Sequence, residues 1–235
     1  MTDPAATTGG TLAGRSILVA GASGGLGSAI AADLVERGAT LTLVARHQER
    51  LDALAVPGRR LAVDLREPGA CETAMRAAVE HGGRLDGVVN AVGVVAFGPI
   101  DELSVDTMEE LFLTNTFVPI LLARAALGAL GEGGVIVNLS GVIAEQNLPG
   151  MAAYGASKAA VRSFDQALGR EARRRRIRVI DARPPHTETG LADRPIHGRS
   201  PRMPPGLDPT VVAAIIGDAI AGDTTDLPST AFPAR

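Results

Sequence analysis

The chain contains a single tyrosine and a single lysine, Tyr154 and Lys158, and they lie four residues apart. Every other residue among its 23 lysines and arginines is an arginine. Because positions i and i+4 share one face of a helix, the ammonium is expected to lie beside the phenol. A neighbouring positive charge favours the phenolate and lowers the pKa of a tyrosine from about 10. The spacing therefore predicts a general acid/base that works near neutral pH.

The composition limits the classes of partner. The chain has 235 residues, 46% of them hydrophobic, which suits one large α/β domain with an ample core. Its net charge of -3 gives no general attraction to nucleic acid or anionic lipid, so neither is expected as a partner. The single Cys71 excludes an internal disulfide. The four scattered histidines have no metal-ligand spacing, so no metal site is predicted.

Two segments bear on the location of the protein. Residues 1–10 are small and polar, without the basic and apolar regions of a signal peptide. The longest apolar stretch, 118–130, contains Arg124 and is too short to span a bilayer. We therefore expect a cytoplasmic protein that does not associate with membranes.

Short β-rich runs alternate with longer helical segments along the chain. This pattern indicates an α/β fold, a doubly wound, Rossmann-type parallel sheet of about seven strands with helices on both faces. Strands are predicted at 16–20, 40–45, 60–63, 87–90, 135–139 and 178–182. Helices are predicted at 25–37, 48–54, 68–81, 106–127, 154–175 and 208–221. Residues 1–11 are predicted to be a flexible tail, and 12–235 a single domain with a substrate loop at 183–207.

A glycine-rich loop follows the first predicted strand and opens the first predicted helix. Glycines permit a tight turn and close approach of the backbone, and a helix N-terminus offers N–H groups to a pyrophosphate. The loop is therefore a candidate dinucleotide site. Its candidate cofactor-binding residues are Gly21, Ser23, Gly24, Gly25, Leu26 and Gly27.

The end of the second predicted strand bears on the choice of cofactor. NAD enzymes of this kind carry an acidic residue about 20 positions after the loop, where it holds the ribose 2′-hydroxyl. This chain has Ala45 followed by Arg46. A guanidinium can instead pair with a 2′-phosphate, which favours NADP(H). The alternative is a solvated arginine that opens the next helix.

Together these motifs resemble the short-chain dehydrogenase/reductase family over residues 12–190. Tyr154 and Lys158 match its Tyr-x-x-x-Lys signature, and Asn115 falls at its mid-helix catalytic asparagine. The resemblance implies that Lys158 also binds the nicotinamide ribose and that Asn115 supports a proton relay. It implies further cofactor contacts from Asp64, Leu65, Asn90, Ala91, Gly93, Tyr154, Lys158, Pro184, Thr187 and Thr189.

The chain departs from the family at the residue that should bind the carbonyl oxygen. The family's catalytic serine usually lies 13 residues before the tyrosine, at the position of Gly141, whereas Ser140 lies 14 before. Because glycine permits unusual dihedrals, we predict that a turn at Gly141 brings the Ser140 hydroxyl towards the Tyr154 hydroxyl in the active complex. Otherwise the donor is missing or another group supplies it.

The C-terminus is a second departure, because it lacks the family's last strand followed by paired glycines. Residues 227–232 are predicted to form a shortened last strand. The resemblance implies a homodimer or homotetramer, but it leaves open the tetramer contacts that the family commonly makes there.

These features predict an NADP(H)-dependent oxidoreductase that interconverts a carbonyl and a secondary alcohol, with Tyr154 as general acid/base and Ser140 and Asn115 assisting. Its partner is expected to be a small, mainly apolar carbonyl or alcohol. The predicted pocket walls are Val94, Val95, Phe97, Ile143, Leu148, Met151 and Leu191, with Glu145 and Asn147 near the rim. The alternative is a non-catalytic NADP-binding scaffold or regulator of the same fold.

Overall fold

The protein is described from a computed structural model that covers residues 10–234. Its centre is a parallel sheet of seven strands in the order β3-β2-β1-β4-β5-β6-β7. The strands are β1 Ser16–Ala20, β2 Thr40–Ala45, β3 Arg59–Ala62, β4 Gly87–Asn90, β5 Val135–Leu139, β6 Arg178–Ala182 and β7 Asp226–Leu227. The predicted fold class is confirmed.

In the described part of the chain, seven α-helices connect or flank these strands. They are α1 Gly25–Glu36, α2 Gln48–Asp52, α3 Ala70–Gly82, α4 Val105–Phe112, α5 Val118–Ala129, α6 Ala152–Ala172 and α7 Pro209–Ala221. Five of the six predicted strands have the predicted bounds, and β3 begins one residue earlier than expected. Helix ends differ by a few residues, since they depend on capping contacts that periodicity does not specify.

Both faces of the sheet are buried, and alternate residues of each strand serve different cores. In β1, Ile17 and Val19 pack in the cluster that contains α1 and α7, whereas Leu18 and Ala20 pack in the cluster formed with α3, α5 and α6. This explains why the strands are continuous apolar runs. The sheet is thus covered on both faces, and its carboxyl edge can position a site.

The long helix predicted at 106–127 is interrupted. A π-helical turn, Leu113–Phe117, separates α4 from α5, and Pro119 stands in the first turn of α5. A proline ring clashes with the carbonyl four residues earlier, here that of Asn115, so the backbone widens before the proline. The deformation of this helical stretch is therefore the wider turn at Leu113–Phe117.

The combined helical stretch, residues 105–129, is longer than the apolar run considered in the sequence. By length and composition alone it could cross a membrane, but half of its most apolar window is buried inside the fold. Such burial is typical of a core helix in an α/β sheet protein.

Both ends of the domain were also predicted. The expected tail at 1–11 lies outside the described residues except for Gly10 and Thr11, which are exposed. The expected last strand at 227–232 is shorter than predicted, because β7 ends at Leu227 and a 3-10 turn at Ser229–Ala231 follows.

Candidate active site

A cavity of about 530 Å³ lies at the carboxyl ends of the strands, where a doubly wound sheet binds its ligands. Most of the predicted site residues line it, namely Gly21, Ser23, Gly24, Gly25, Leu26, Gly27, Arg46, Asp64, Leu65, Ala91, Gly93, Ser140, Tyr154, Lys158, Pro184, Thr187 and Thr189. Asn90 and Asn115 are absent from this lining. They are buried behind the wall, and their side chains position its backbone.

The glycine loop fits a ligand that needs close approach of the backbone. Gly21 has a φ of 77°, and a Cβ there would lie 2.7 Å from the backbone of Ala91. A Cβ on Gly27 would lie 2.2 Å from the Gly21 carbonyl oxygen. Helix α1 begins at Gly25, and no side chain among the described residues caps it at Gly24. The N–H groups of its first turn are therefore available to an anion.

Several arginines surround the end of the cavity that lies next to β2 and β3. Arg46 is exposed there, and Arg50, one helical turn later, donates to the carbonyl of Ser23 at 2.8 Å. Arg66 binds Asp64 and Glu110 through ion pairs of 2.6 and 2.7 Å. Hydrogen bonding from Arg66 lowers the pKa of Asp64, and the charge of Arg46 adds to this effect. The sequence analysis missed Arg50 and Arg66, although their spacing from Arg46 and Asp64 could have indicated them.

Tyr154 and Lys158 lie one turn apart on α6 and both line the cavity. Lys158 is 6% exposed, and its ammonium donates to the carbonyl of Leu139 at 2.8 Å. Burial lowers the pKa of Lys158 to about 8, partly offset by the negative charge of Asp181. Burial also raises the pKa of Tyr154 to about 12. The expected lowering of the tyrosine pKa is therefore not seen: loss of hydration raises this pKa, and no lowering by the Lys158 ammonium accompanies it.

Asn115 is completely buried in the π-helical turn, and its amide holds the wall beside the lysine. Its Oδ1 accepts from the Val94 N–H and its Nδ2 donates to the Val94 carbonyl, both at 2.9 Å. A Cβ on Gly93 would lie 3.3 Å from Asn115 Oδ1 and 3.4 Å from Lys158 Nζ. Gly93, Asn115 and Lys158, which are distant in sequence, therefore lie close together in the structure.

Ser140 is placed differently from the sequence prediction. It borders the cavity but has no exposed surface, and its hydroxyl donates to the carboxylate of Asp181 on β6. Gly141 does form a turn, with a φ of 78°, and its N–H donates to the carbonyl of Ala182. Because Ser140 follows the last residue of β5 on the face that Asp181 shares, the hydroxyl reaches this carboxylate and not the tyrosine.

A buried ion-pair network, which the sequence analysis missed, lies behind Ser140. Arg183 is 3% exposed and binds the carboxylates of Asp181, Glu145 and Asp226. Glu145 also accepts from the Ser229 hydroxyl, so it faces this network and not the pocket rim as predicted. A signal was present in the sequence, since Asp181 and Arg183 are charged residues beside the apolar residues Val179, Ile180 and Ala182.

The predicted apolar walls of the pocket all line the cavity, and the substrate loop closes over them. The loop is held at residues 196–197, where the Ile196 N–H donates to Val95 at 2.8 Å and the Phe97 N–H donates to His197 at 3.0 Å. The loop adds its own lining residues, which include His186, Ala192, Arg194, Ile196 and Met203. The side chain of His186 is 24% exposed and lies 3.5 Å from Glu188.

Comparison with known proteins agrees with this geometry. Residues 15–198 match the family described as short chain dehydrogenase. The chain belongs to this family. It is therefore an oxidoreductase that uses a nicotinamide dinucleotide and acts on a small molecule.

Curated relatives and solved structures extend the likeness. Hydroxynaphthalene reductase arp2 of Aspergillus fumigatus is 34% identical over 67% of this chain and 60% of that enzyme. An uncharacterised oxidoreductase of Methylorubrum extorquens is 34% identical over 76% and 75% of the two chains. A dehydrogenase/reductase from Sinorhizobium meliloti is 30% identical with a TM-score of 0.81, covering 95% and 97%. A Burkholderia cenocepacia enzyme in complex with NADP is 27% identical with a TM-score of 0.80, covering 93% and 98%.

Proposed function

We propose that this protein is an NADPH-dependent carbonyl reductase that can also run as the reverse alcohol dehydrogenase. The observation that carries the proposal is that Tyr154 and Lys158 line the same cavity as the glycine loop, which leads into α1, and the apolar pocket walls. When bound, the nicotinamide supplies or accepts the hydride. The protein positions the substrate and the nicotinamide, transfers the proton and excludes water from the cavity.

The tyrosine is the proton donor in this scheme. With its pKa raised to about 12, Tyr154 remains protonated at neutral pH and can donate to a forming alkoxide. The ammonium of Lys158, fixed on the Leu139 carbonyl, adds positive charge beside the forming anion. Asn115 keeps the neighbouring wall in place through its two bonds to Val94.

The choice of NADP(H) rests on Arg46. It follows β2 directly, is exposed in the cavity, and no acidic residue stands in its place. A guanidinium suits a 2′-phosphate, and the NADP complex of the Burkholderia enzyme is consistent with this choice. We expect NADP(H) to bind at least tenfold tighter than NAD(H), a difference of about 1.4 kcal/mol.

Titration of both dinucleotides into the parent, Arg46→Ala and Arg76→Ala tests this choice. Arg76 is an exposed arginine on α3, remote from the cavity, and serves as the control. Arg46→Ala should remove most of the preference for NADP(H), and Arg76→Ala should keep it. Equal affinities of the parent protein for both dinucleotides would rule out the assignment.

The substrate is proposed to be a mainly apolar ketone or the matching secondary alcohol. The pocket walls are apolar side chains from the segment after β4, from the β5–α6 connection and from the substrate loop. A relative named for hydroxynaphthalene reduction suggests that flat aromatic compounds belong in a first substrate panel. Short aliphatic ketones and charged keto acids complete the comparison.

The decisive experiment follows NADPH absorbance during incubation with this panel, using the parent and Tyr154→Phe. The parent should oxidise NADPH with at least one apolar carbonyl. Tyr154→Phe should lose about 10²–10⁴ in kcat while it still binds NADPH, because only the phenolic proton is removed. Turnover by Tyr154→Phe at the parent's rate would contradict the proposed mechanism.

A non-catalytic NADP-binding scaffold is the second candidate, favoured by one observation. The Ser140 hydroxyl is engaged by Asp181, so the usual serine donor is not directed at the substrate position. The same assay decides between the two functions. Tight NADPH binding with no turnover across a broad panel would favour the scaffold.

A further inference from the structure

Arg194 lies in the substrate loop, between the apolar pocket and the glycine loop, and no sequence motif assigns it a role. Its side chain is exposed and lines the cavity. Its Nε donates to the carbonyl of Gly190 at 2.9 Å, and its Nη2 donates to the carbonyl of Thr189 at 3.4 Å. Within the described part of the chain, its hydrogen-bond acceptors are these neutral carbonyls, and no carboxylate forms an ion pair with it.

The Thr189 carbonyl links this guanidinium to the start of helix α1. A Cβ built on Gly25, the first residue of α1, would lie 2.6 Å from the Thr189 carbonyl oxygen. One oxygen is therefore in contact with both the Arg194 guanidinium and the N-terminus of the helix. The substrate loop thus brings a cation to the glycine loop.

Backbone pairing on each side of Arg194 holds the loop in this position. The Ile196 N–H donates to the Val95 carbonyl, only two residues beyond Arg194. On the other side, the Glu188 N–H donates to the Leu207 carbonyl at 2.9 Å, and the two ends of the loop form a parallel bridge there. The backbone that carries Arg194 is therefore held by hydrogen bonds on both sides.

The positive charges at the N-terminus of α1 and on Arg194 favour binding of an anion. The N-terminus of α1 already carries positive potential, and the guanidinium adds a full positive charge beside it. A guanidinium has five N–H donors in a planar fork that suits phosphate oxygens, and only two of its nitrogens have acceptors among the described residues. A diphosphate at the glycine loop would satisfy both positive groups.

We propose that Arg194 is a cofactor-binding residue that donates to the pyrophosphate of the dinucleotide and so joins the substrate loop to the glycine loop. The inference rests on the dinucleotide binding in the proposed function. Both NAD and NADP contain a pyrophosphate, so Arg194 contributes to the affinity for both. This separates its role from that of Arg46, which concerns the 2′-phosphate alone.

The test is calorimetric titration of NADP⁺, NAD⁺ and adenosine 2′-monophosphate into the parent, Arg194→Gln and Arg199→Gln. Arg199 is an exposed arginine of the same loop and controls for loss of one charge. Arg194→Gln should weaken NADP⁺ and NAD⁺ binding by the same factor, about tenfold. It should leave binding of adenosine 2′-monophosphate, which has no 5′-phosphate, unchanged. Arg199→Gln should bind all three ligands as the parent does.

The salt dependence of NADP⁺ binding separates a direct charge contact from a role in holding the loop. For the parent, the dissociation constant should rise more steeply with salt than for Arg194→Gln, and Arg194→Lys should keep part of that slope. Unchanged NADP⁺ affinity in Arg194→Gln would overturn the inference. An equal loss in Arg199→Gln, or a loss with an unaltered salt slope, would also overturn it. If the parent binds no dinucleotide, the proposed function itself fails.

Discussion

At the scale of single residues, burial sets the chemistry of the active site more strongly than neighbouring charge does. The phenol of Tyr154 and the ammonium of Lys158 are both displaced towards their neutral forms, because each loses hydration on α6. A neutral phenol at neutral pH is a proton donor, which suits reduction of a carbonyl.

The lysine should make stability depend on pH in a defined window. In the unfolded chain Lys158 keeps its proton up to about pH 10.5, whereas in the folded protein it loses the proton near pH 8. Between these values the unfolded state binds more protons, so stability rises with pH. Lys158→Met lacks this contribution. Urea unfolding at about pH 7 and pH 10 should show the parent gaining stability relative to the variant, and parallel curves would refute the assignment.

The serine should act through the fold and not through the substrate. The Ser140 hydroxyl donates to the carboxylate of Asp181, which stays bound to Arg183. Ser140→Ala should therefore cost about 1.5–3 kcal/mol of unfolding free energy, with kcat close to that of the parent. Chemical denaturation and NADPH assays measure the two effects separately. A loss of about 10²–10³ in kcat would instead show that the hydroxyl turns to the carbonyl oxygen during catalysis.

At the scale of elements, one arginine joins the end of β6 to β7 and to the connection between β5 and α6. Arg183 holds Asp181, Glu145 and Asp226, and its N–H donates to the Leu227 carbonyl at 2.9 Å. The shortened β7 is therefore fixed by charge pairing as well as by its two-residue ladder with β6.

Removal of that arginine should strongly destabilise the fold. Arg183→Met leaves buried carboxylates without their cation and should cost about 3–5 kcal/mol. Asp226→Asn is the matched control, because the Asp226 side chain is 58% exposed and its pairing should contribute about 0–1 kcal/mol. Urea unfolding of both variants measures the difference. Similar losses of unfolding free energy in both variants would contradict a stabilising role for the buried ion pairs of Arg183.

At the scale of the whole molecule, three exposed apolar side chains lie along one helical stretch. Val105, Leu113 and Phe117 are 63%, 39% and 54% exposed, all within the continuous helical stretch 105–129. Large exposed apolar side chains along one element are typical of a protein–protein interface. We propose that this stretch pairs with its counterpart in a second copy.

A charge on this surface should separate the copies. Phe117→Glu should convert a dimer or tetramer to a smaller species, because a desolvated carboxylate opposes association. Arg76→Gln, which changes the charge by the same amount on exposed α3, should leave the mass unaltered. Light scattering after size-exclusion chromatography measures the mass. A monomeric parent, or a Phe117→Glu variant of unchanged mass, would contradict the proposed interface.

The sequence alone determined the features that depend on local pattern. Continuous apolar runs located the strands, since β1, β2, β4, β5 and β6 lie where they were predicted. The glycine spacing located the turn into α1, because only glycine tolerates so close a backbone approach at Gly21 and Gly27. The spacing of Tyr154 and Lys158 placed both on one helical face.

Only the tertiary structure decided the features that depend on burial and on distant partners. The direction of the Ser140 hydroxyl was set by Asp181, which lies 41 residues away in sequence on the neighbouring strand. The pKa of Tyr154 was raised by the loss of water around the side chain. The i, i+4 spacing of Tyr154 and Lys158 does not predict this loss. Arg194 and Gly25 approach the same Thr189 carbonyl only because the substrate loop packs against the glycine loop. Local patterns encode backbone conformation, whereas hydration and long-range contact arise only when the elements pack together.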